Sequence, residues 1–193
     1  MNDNTIYFSD EEWQFYYHLC NQYAKDELAS TIQQKNKRNQ FNTDAMIHQT
    51  TTGKIAEWAV TLLFTDKPCT ISDPDMQIYT KYKKSFDADL TIDGYDLHVK
   101  SQSVESANRF GTSWMFQYNG RGSGHRDPLL NYDNGLVAFC VVDFNKKAVH
   151  IKGICEFALI RNKLREPVKK SLKHTKRCIY LEDLTQQDFI EIK

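Results

Sequence analysis

Residues 136–144, LVAFCVVDF, form a nearly continuous apolar run. A run that does not alternate reads as a central strand buried on both faces. Two earlier segments do alternate: residues 86–92, FDADLTI, and residues 95–101, YDLHVKS. Asp93-Gly94 lies between them, a strong hairpin signal, so the two are expected to pair back on one another. Residues 113–118, SWMFQY, predict a further strand, and Asn145-Lys146-Lys147 turns the central run into another over 148–155.

The N-terminal third has a different period. Ser9 and Glu12 stand at capping-box spacing. Trp13, Tyr16, Tyr17, Cys20 and Tyr23 then follow on one face of a 3.6-residue repeat, predicting a helix that runs to about Ala29. Residues 33–42 are rich in Gln, Asn, Lys and Arg and read as a polar connection. A second helix is expected over 52–64, with Ile55, Ala56, Ala59, Leu62 and Leu63 as its apolar face; Lys67-Pro68 closes it. Residues 69–84 are irregular around Asp73-Pro74-Asp75, and the chain closes on a short strand-turn-helix tail.

The order helix, helix, hairpin, strands, tail predicts an α/β (α+β) fold in one domain, a mixed central sheet flanked by helices. Its parts are a helical segment (1–66), a sheet core (67–160) and a basic C-terminal segment (161–193). At 193 residues such a domain buries roughly 70% of its unfolded surface and needs no disulfide or structural metal. No apolar stretch approaches the ~18 residues of a membrane span, so no membrane partner is expected. Residues 1–10 are polar and acidic, unlike a secretory signal. Cys20, Cys69, Cys140, Cys155 and Cys178 form no CxxC pair, which argues against a zinc knuckle or redox motif. Free thiols in a reducing cytoplasm are the expectation. No GxSxG elbow supports a serine nucleophile.

Chemistry concentrates around the hairpin. Asp89 lies on its first arm, and His98 and Lys100, two residues apart, share one face of its second. The turn at Asp93-Gly94 brings Asp89 back toward them. Glu57, in GKIAEWAV, is an acid among mostly apolar neighbours on the second helix. Carboxylates from a strand end and a helix can hold a hard divalent cation. Such a cation activates water and neutralises phosphate charge, and an adjacent lysine can orient or deprotonate that water. The set suits phosphodiester cleavage.

At these positions the chain resembles the PD-(D/E)XK nuclease superfamily, the restriction-endonuclease-like fold. Glu57 matches the family's helical Glu, Asp89 its motif Asp and Lys100 its motif Lys. The resemblance spans roughly residues 53–117 and rests on four positions. It implies a metal-dependent DNA endonuclease of a restriction, phage or mobile-element system. Glu57, Asp89 and His98 would bind Mg²⁺, and Lys100 would act on the water. His98 departs from the pattern by replacing the second acid, and as a softer ligand it favours Mn²⁺. Asp87 is an alternative oxygen donor. The same departure supports a second expectation, a degraded module of this fold that binds nucleic acid or protein without cutting; a ribonuclease is a third. A double-strand cut would call for a homodimer, for which no interface is legible.

The formal net charge is zero, from 25 basic and 25 acidic residues, but its distribution is uneven. Residues 161–177 hold eight Lys or Arg against Glu166 alone, a surplus of seven in 17 residues. Lys169, Lys170, Lys173, Lys176 and Arg177 are therefore expected to contact phosphates, with Arg121 and Arg126 of the glycine-rich loop 119–134, and with Lys35, Lys37 and Arg38 as a smaller cluster. The GRGSG stretch of that loop lacks P-loop or dinucleotide-binding spacing. His125, beside it, is a remote candidate for a general base of some other hydrolytic site. Trp114 and Phe116 read as core rather than as a base-stacking platform.

Overall fold

The computed structural model describes residues 4–37, 41–79, 88–118, 127–130 and 135–191. Among them the central run forms β5 (Leu136–Asp143), and β5 divides the interior in two. Ala138, Cys140 and Val142 enter one core; Val137, Phe139 and Val141 enter the other. The two-residue period of a strand delivers alternate side chains to opposite faces, and here both faces are dry.

The first core lies under two long helices, α1 (Asp10–Lys37) and α2 (Thr43–Phe64). Ile55, Ala56, Ala59 and Val60 of α2 are completely buried there. On the far side a separate two-stranded sheet forms the lid, with β4 (Ser113–Gln117) antiparallel to β7 (Lys176–Tyr180). Trp114 and Phe116 of β4 are fully buried, as expected of core residues. The Trp114 ring stacks on Phe139 at 4.5 Å, and its indole N–H donates to the Cys140 carbonyl at 2.9 Å. Each such large side chain contributes roughly 1.5–3 kcal/mol by leaving water.

The main sheet also contains β1 (Asn4–Tyr7), β2 (Leu90–Ile92), β3 (Tyr95–Ser103) and β6 (Ala148–Glu156), in the order β1-β6-β5-β3-β2. Among the described residues only β3 and β5 pair in parallel. A parallel pair needs a crossover, and the chain between them forms α3 (Val104–Phe110) and then β4 before entering β5. The fold is thus α+β with a mixed sheet, as the sequence predicts. Among the described residues no helix is long and apolar enough to cross a membrane.

Several boundaries differ from the sequence expectation. The first helix continues to Lys37, because residues 30–37 lack Gly and Pro and include good helix formers. The second starts at Thr43 rather than 52, capped by Asn42, whose side chain accepts the Ala45 N–H at 2.9 Å. Its Thr-rich first half looks unhelical by propensity, yet Thr51 and Thr52 are buried, and Thr52 donates to the His48 carbonyl at 2.7 Å. Residues 113–118 supply a strand as expected, but to the second sheet. β1 and α3 are too short to leave a periodic signal. Part of the predicted strand 86–92 and most of the loop 119–134 lie outside the described residues.

Gly153 fixes one detail of the sheet. Phe139 stands opposite Gly153 but Cys140 opposite Ile151, so Lys152 is an extra residue in β6. Gly153 has φ +151°, and a β-carbon there would lie 2.1 Å from the Phe189 ring. Gly153→Ala should therefore cost about 2 kcal/mol or more of unfolding free energy, measured by urea denaturation. A change under about 0.5 kcal/mol would mean that Phe189 yields freely. All five cysteines are free thiols, and only Cys69 is not buried. One thiol per chain should react with a disulfide reagent in the native protein, and five after unfolding.

Candidate active site and basic groove

The hairpin turn sets the site. Asp93 and Gly94 both have positive φ, 49° and 82°, as a two-residue hairpin turn of the primed type requires. The turn fixes the register, with Leu90 opposite Leu97. The β2 ladder stops there. One residue earlier Asp89 takes over, its carboxylate accepting the Val99 N–H at 2.8 Å. Beyond this point, along 98–103, β3 has no strand neighbour on its β2 side among the described residues.

Glu57 comes from α2 and is only 6% exposed. Lys54, one turn earlier, donates to its Oε2 at 2.7 Å and to the Asp75 carbonyl at 2.8 Å, and lies 5.0 Å from the Tyr23 ring centre. Burial first, and then the nearby charge of Asp89, push the Glu57 carboxyl up to about 8 against the pull of Lys54. For Lys54, burial works against the ammonium, but Glu57 more than offsets it, and its pKa rises.

His98 sits in the same electrostatic neighbourhood. Burial holds it below the ordinary imidazole range, opposed by Asp89, aided by Lys100 and opposed by Asp127. The Lys100 ammonium donates to Asp127 Oδ2 at 2.6 Å and lies 5.2 Å from the Phe116 ring centre. Asp127 is itself buried and held in place, its N–H donating to the Gln117 carbonyl at 2.8 Å.

The structure thus brings the four expected residues into one region, with Asp89 acting on both Glu57 and His98. It does not assemble the expected three-ligand metal set. Among the described residues no group of three His, Cys, Asp or Glu is placed to hold an ion. Glu57 and Asp89 alone still suit a cation of the Mg²⁺ kind, which takes one or two carboxylates and leaves the rest of its shell to water and phosphate. Two residues escaped the sequence reading. Lys54 stands three before Glu57 on the helix, a spacing that signals an ion pair. Asp127 follows a polar loop, and nothing local marks it as the partner of Lys100.

The basic segment is less free than its composition suggests. Lys163 pairs with Asp188 at 2.6 Å, Lys173 with Glu166 at 2.9 Å, and Arg165 with Glu182 and with Asp183, the latter at 2.8 Å. Arg177 donates to the Lys173 and Lys176 carbonyls and stacks over Tyr118. Lys173 and Arg177 are thus engaged within the chain, whereas Lys169, Lys170 and Lys176 make no ion pair among the described residues. Lys169 and Lys176 line a groove of about 650 Å³ together with Lys100, between α2 and the end of β3. Asp87, Arg121, Arg126, His125 and Arg38, and the side chains of Lys35 and Lys37, lie outside the described residues.

The arrangement is polar in a directional sense. From Thr52 to Glu57 along α2 is about 7 Å, and from Ser101 to Val99 along β3 is also about 7 Å. The basic groove at Thr52 and Ser101 therefore adjoins the acidic end at Glu57 and Asp89. Positive and negative ends side by side are what a phosphate and its counter-cation require. No family model matches the chain, and no curated protein or solved structure matches it.

Glu57 gives a pH prediction for the metal-free protein. Its folded-state pKa lies above the unfolded one, so the native state holds the extra proton. Stability from this group falls as pH rises from the ordinary Glu range through about 8. Glu57→Gln should remove that slope: in EDTA, its melting temperature relative to wild type should climb between pH 5 and pH 8. A constant difference across this range would contradict the assignment.

Proposed function

We propose that the chain is a metal-dependent endonuclease that hydrolyses phosphodiester bonds in DNA, built on a restriction-endonuclease-like fold. The observation that carries this reading is the position of Lys100. It stands at the boundary between two mutually repelling carboxylates, buried Glu57 and half-buried Asp89, and a groove lined by lysines. The order of elements supports it too: a helix carrying Glu57, a hairpin carrying Asp89 and Lys100, then a crossover to a parallel strand.

In this reading Glu57 and Asp89 hold Mg²⁺ or Mn²⁺, and the ion supplies charge neutralisation on the phosphate and a more acidic water. Lys100, steadied by Asp127, orients the attacking water or offsets charge on the phosphate oxygens. His98, kept neutral by burial, offers a lone pair or an N–H beside Asp89 and need not be a ligand. Lys169 and Lys176 hold the backbone near the reacting bond.

A second reading draws on a different observation. Glu57 is already paired with Lys54, and Lys100 with Asp127, so the catalytic groups are internally neutralised. That favours a module that binds nucleic acid without cutting it. Supercoiled plasmid incubated with the protein in Mg²⁺, in Mn²⁺ and in EDTA separates the two. The nuclease reading expects nicked or linear product that needs metal and falls at least 100-fold in Lys100→Ala. No product in either metal, with a gel shift that persists in EDTA, would instead favour the binding module.

A further inference from the structure

In the groove beside Lys100, ammonium groups outnumber their carboxylate partners among the described residues. Three lysines line it, Lys100, Lys169 and Lys176, and no Asp or Glu lines it. Elsewhere in the same segment Lys163, Arg165 and Lys173 are each matched with a carboxylate. Lys176 comes from the first position of β7, opposite Gln117 of β4. Burial, and then the charge of Lys100, weigh against its ammonium, while Asp127 favours it. One buried carboxylate, Asp127, thus serves two lysines. A like-charged pair held together at the cost of desolvation has excess positive charge to offer.

The neutral wall is also suited to an anion. Among the described residues β3 has no strand neighbour on its β2 side beyond Leu97, and the Val99 N–H points to that edge, toward Asp89. Alternation turns the N–H of Ser101, which lines the groove, to the same edge. Met115 and Val168 line the cavity as well and are 49% and 63% exposed, an apolar surface beside the charges. A volume of about 650 Å³ is on the scale of a small-molecule site, room inside the groove for a nucleotide or two. Lysines flanked by apolar surface suit a single strand, which presents phosphate and unstacked base together.

We propose that this groove is an anion subsite that takes one phosphate of a single-stranded nucleic acid between Lys100 and Lys176, with Lys169 at its mouth and Asp127 as the counter-ion the phosphate competes with. The inference deepens the nuclease reading at the same site and rests on it for the identity of the ligand. It does not need a metal or a cleavage step.

The test is fluorescence anisotropy with the full chain in EDTA at low salt, using a labelled 12-nucleotide single-stranded DNA. Competitors are inorganic phosphate, a mononucleotide and a duplex of the same sequence. Affinity for the single strand should fall about tenfold in Lys176→Ala and rise several-fold in Asp127→Asn, a gain that misfolding cannot produce. Lys146→Ala, exposed on the β5–β6 turn and outside the groove, should change it less than twofold. Equal losses in Lys146→Ala and Lys176→Ala, or no gain in Asp127→Asn, would overturn the subsite. Tighter binding of the duplex, or competition by free phosphate or mononucleotide as strong as by the strand, would overturn the ligand assignment. Strand binding with these variant effects but no cleavage of plasmid or of the single strand in any metal would sink the nuclease reading and leave the groove standing.

Discussion

β5 has no face that tolerates water, and the rest of the structure follows from that. One layer cannot cover it, so the chain supplies two: the α1–α2 pair on one side and the β4–β7 sheet on the other. β5 lies parallel to β3, so the chain must cross over between them, and the crossover contains α3 and β4. β4 in turn pairs with β7, and β7 carries Lys176 to the end of β3. The basic groove is thus a by-product of covering an apolar strand. Packing places the strands that carry its lysines, and Asp127 then steadies Lys100.

Charge in the site is balanced in pairs rather than as a whole. Lys54 answers Glu57 and Asp127 answers Lys100, each at under 3 Å. What remains is Asp89 at one end and Lys169 and Lys176 at the other. Internal pairing keeps the buried groups tolerable, but it leaves a residual dipole along the free edge of β3. A cation and an anion bound side by side would cancel that dipole.

Much of this was legible in the chain. The central strand, the hairpin and its turn, the inward position of Glu57 and the placing of Trp114 and Phe116 in the core all follow from local pattern and periodicity. What escaped has identifiable causes. The early start of α2 is hidden by threonines whose poor propensity is overridden by tertiary burial. β4 reads as a strand, but nothing local says which sheet it joins. The run of positive charge overstates the free surface, because the acids that neutralise it, Glu182, Asp183 and Asp188, come later in the chain. The Lys100–Asp127 pair spans 27 residues and has no spacing rule at all.

The pairing of β1 with β6 joins residues 4–7 to residues 148–151. A chain emerging from the ribosome at ~5–20 residues per second therefore holds its first strand without a partner for on the order of ten seconds or more. During that interval Ile6, Phe8 and the apolar face of α1 have no sheet to pack on. β4 waits for β7 in the same way, though for less than half as long. Contacts this distant make folding slow and late. The nascent chain must stay soluble on its charged helix surfaces until nearly all of it has been made.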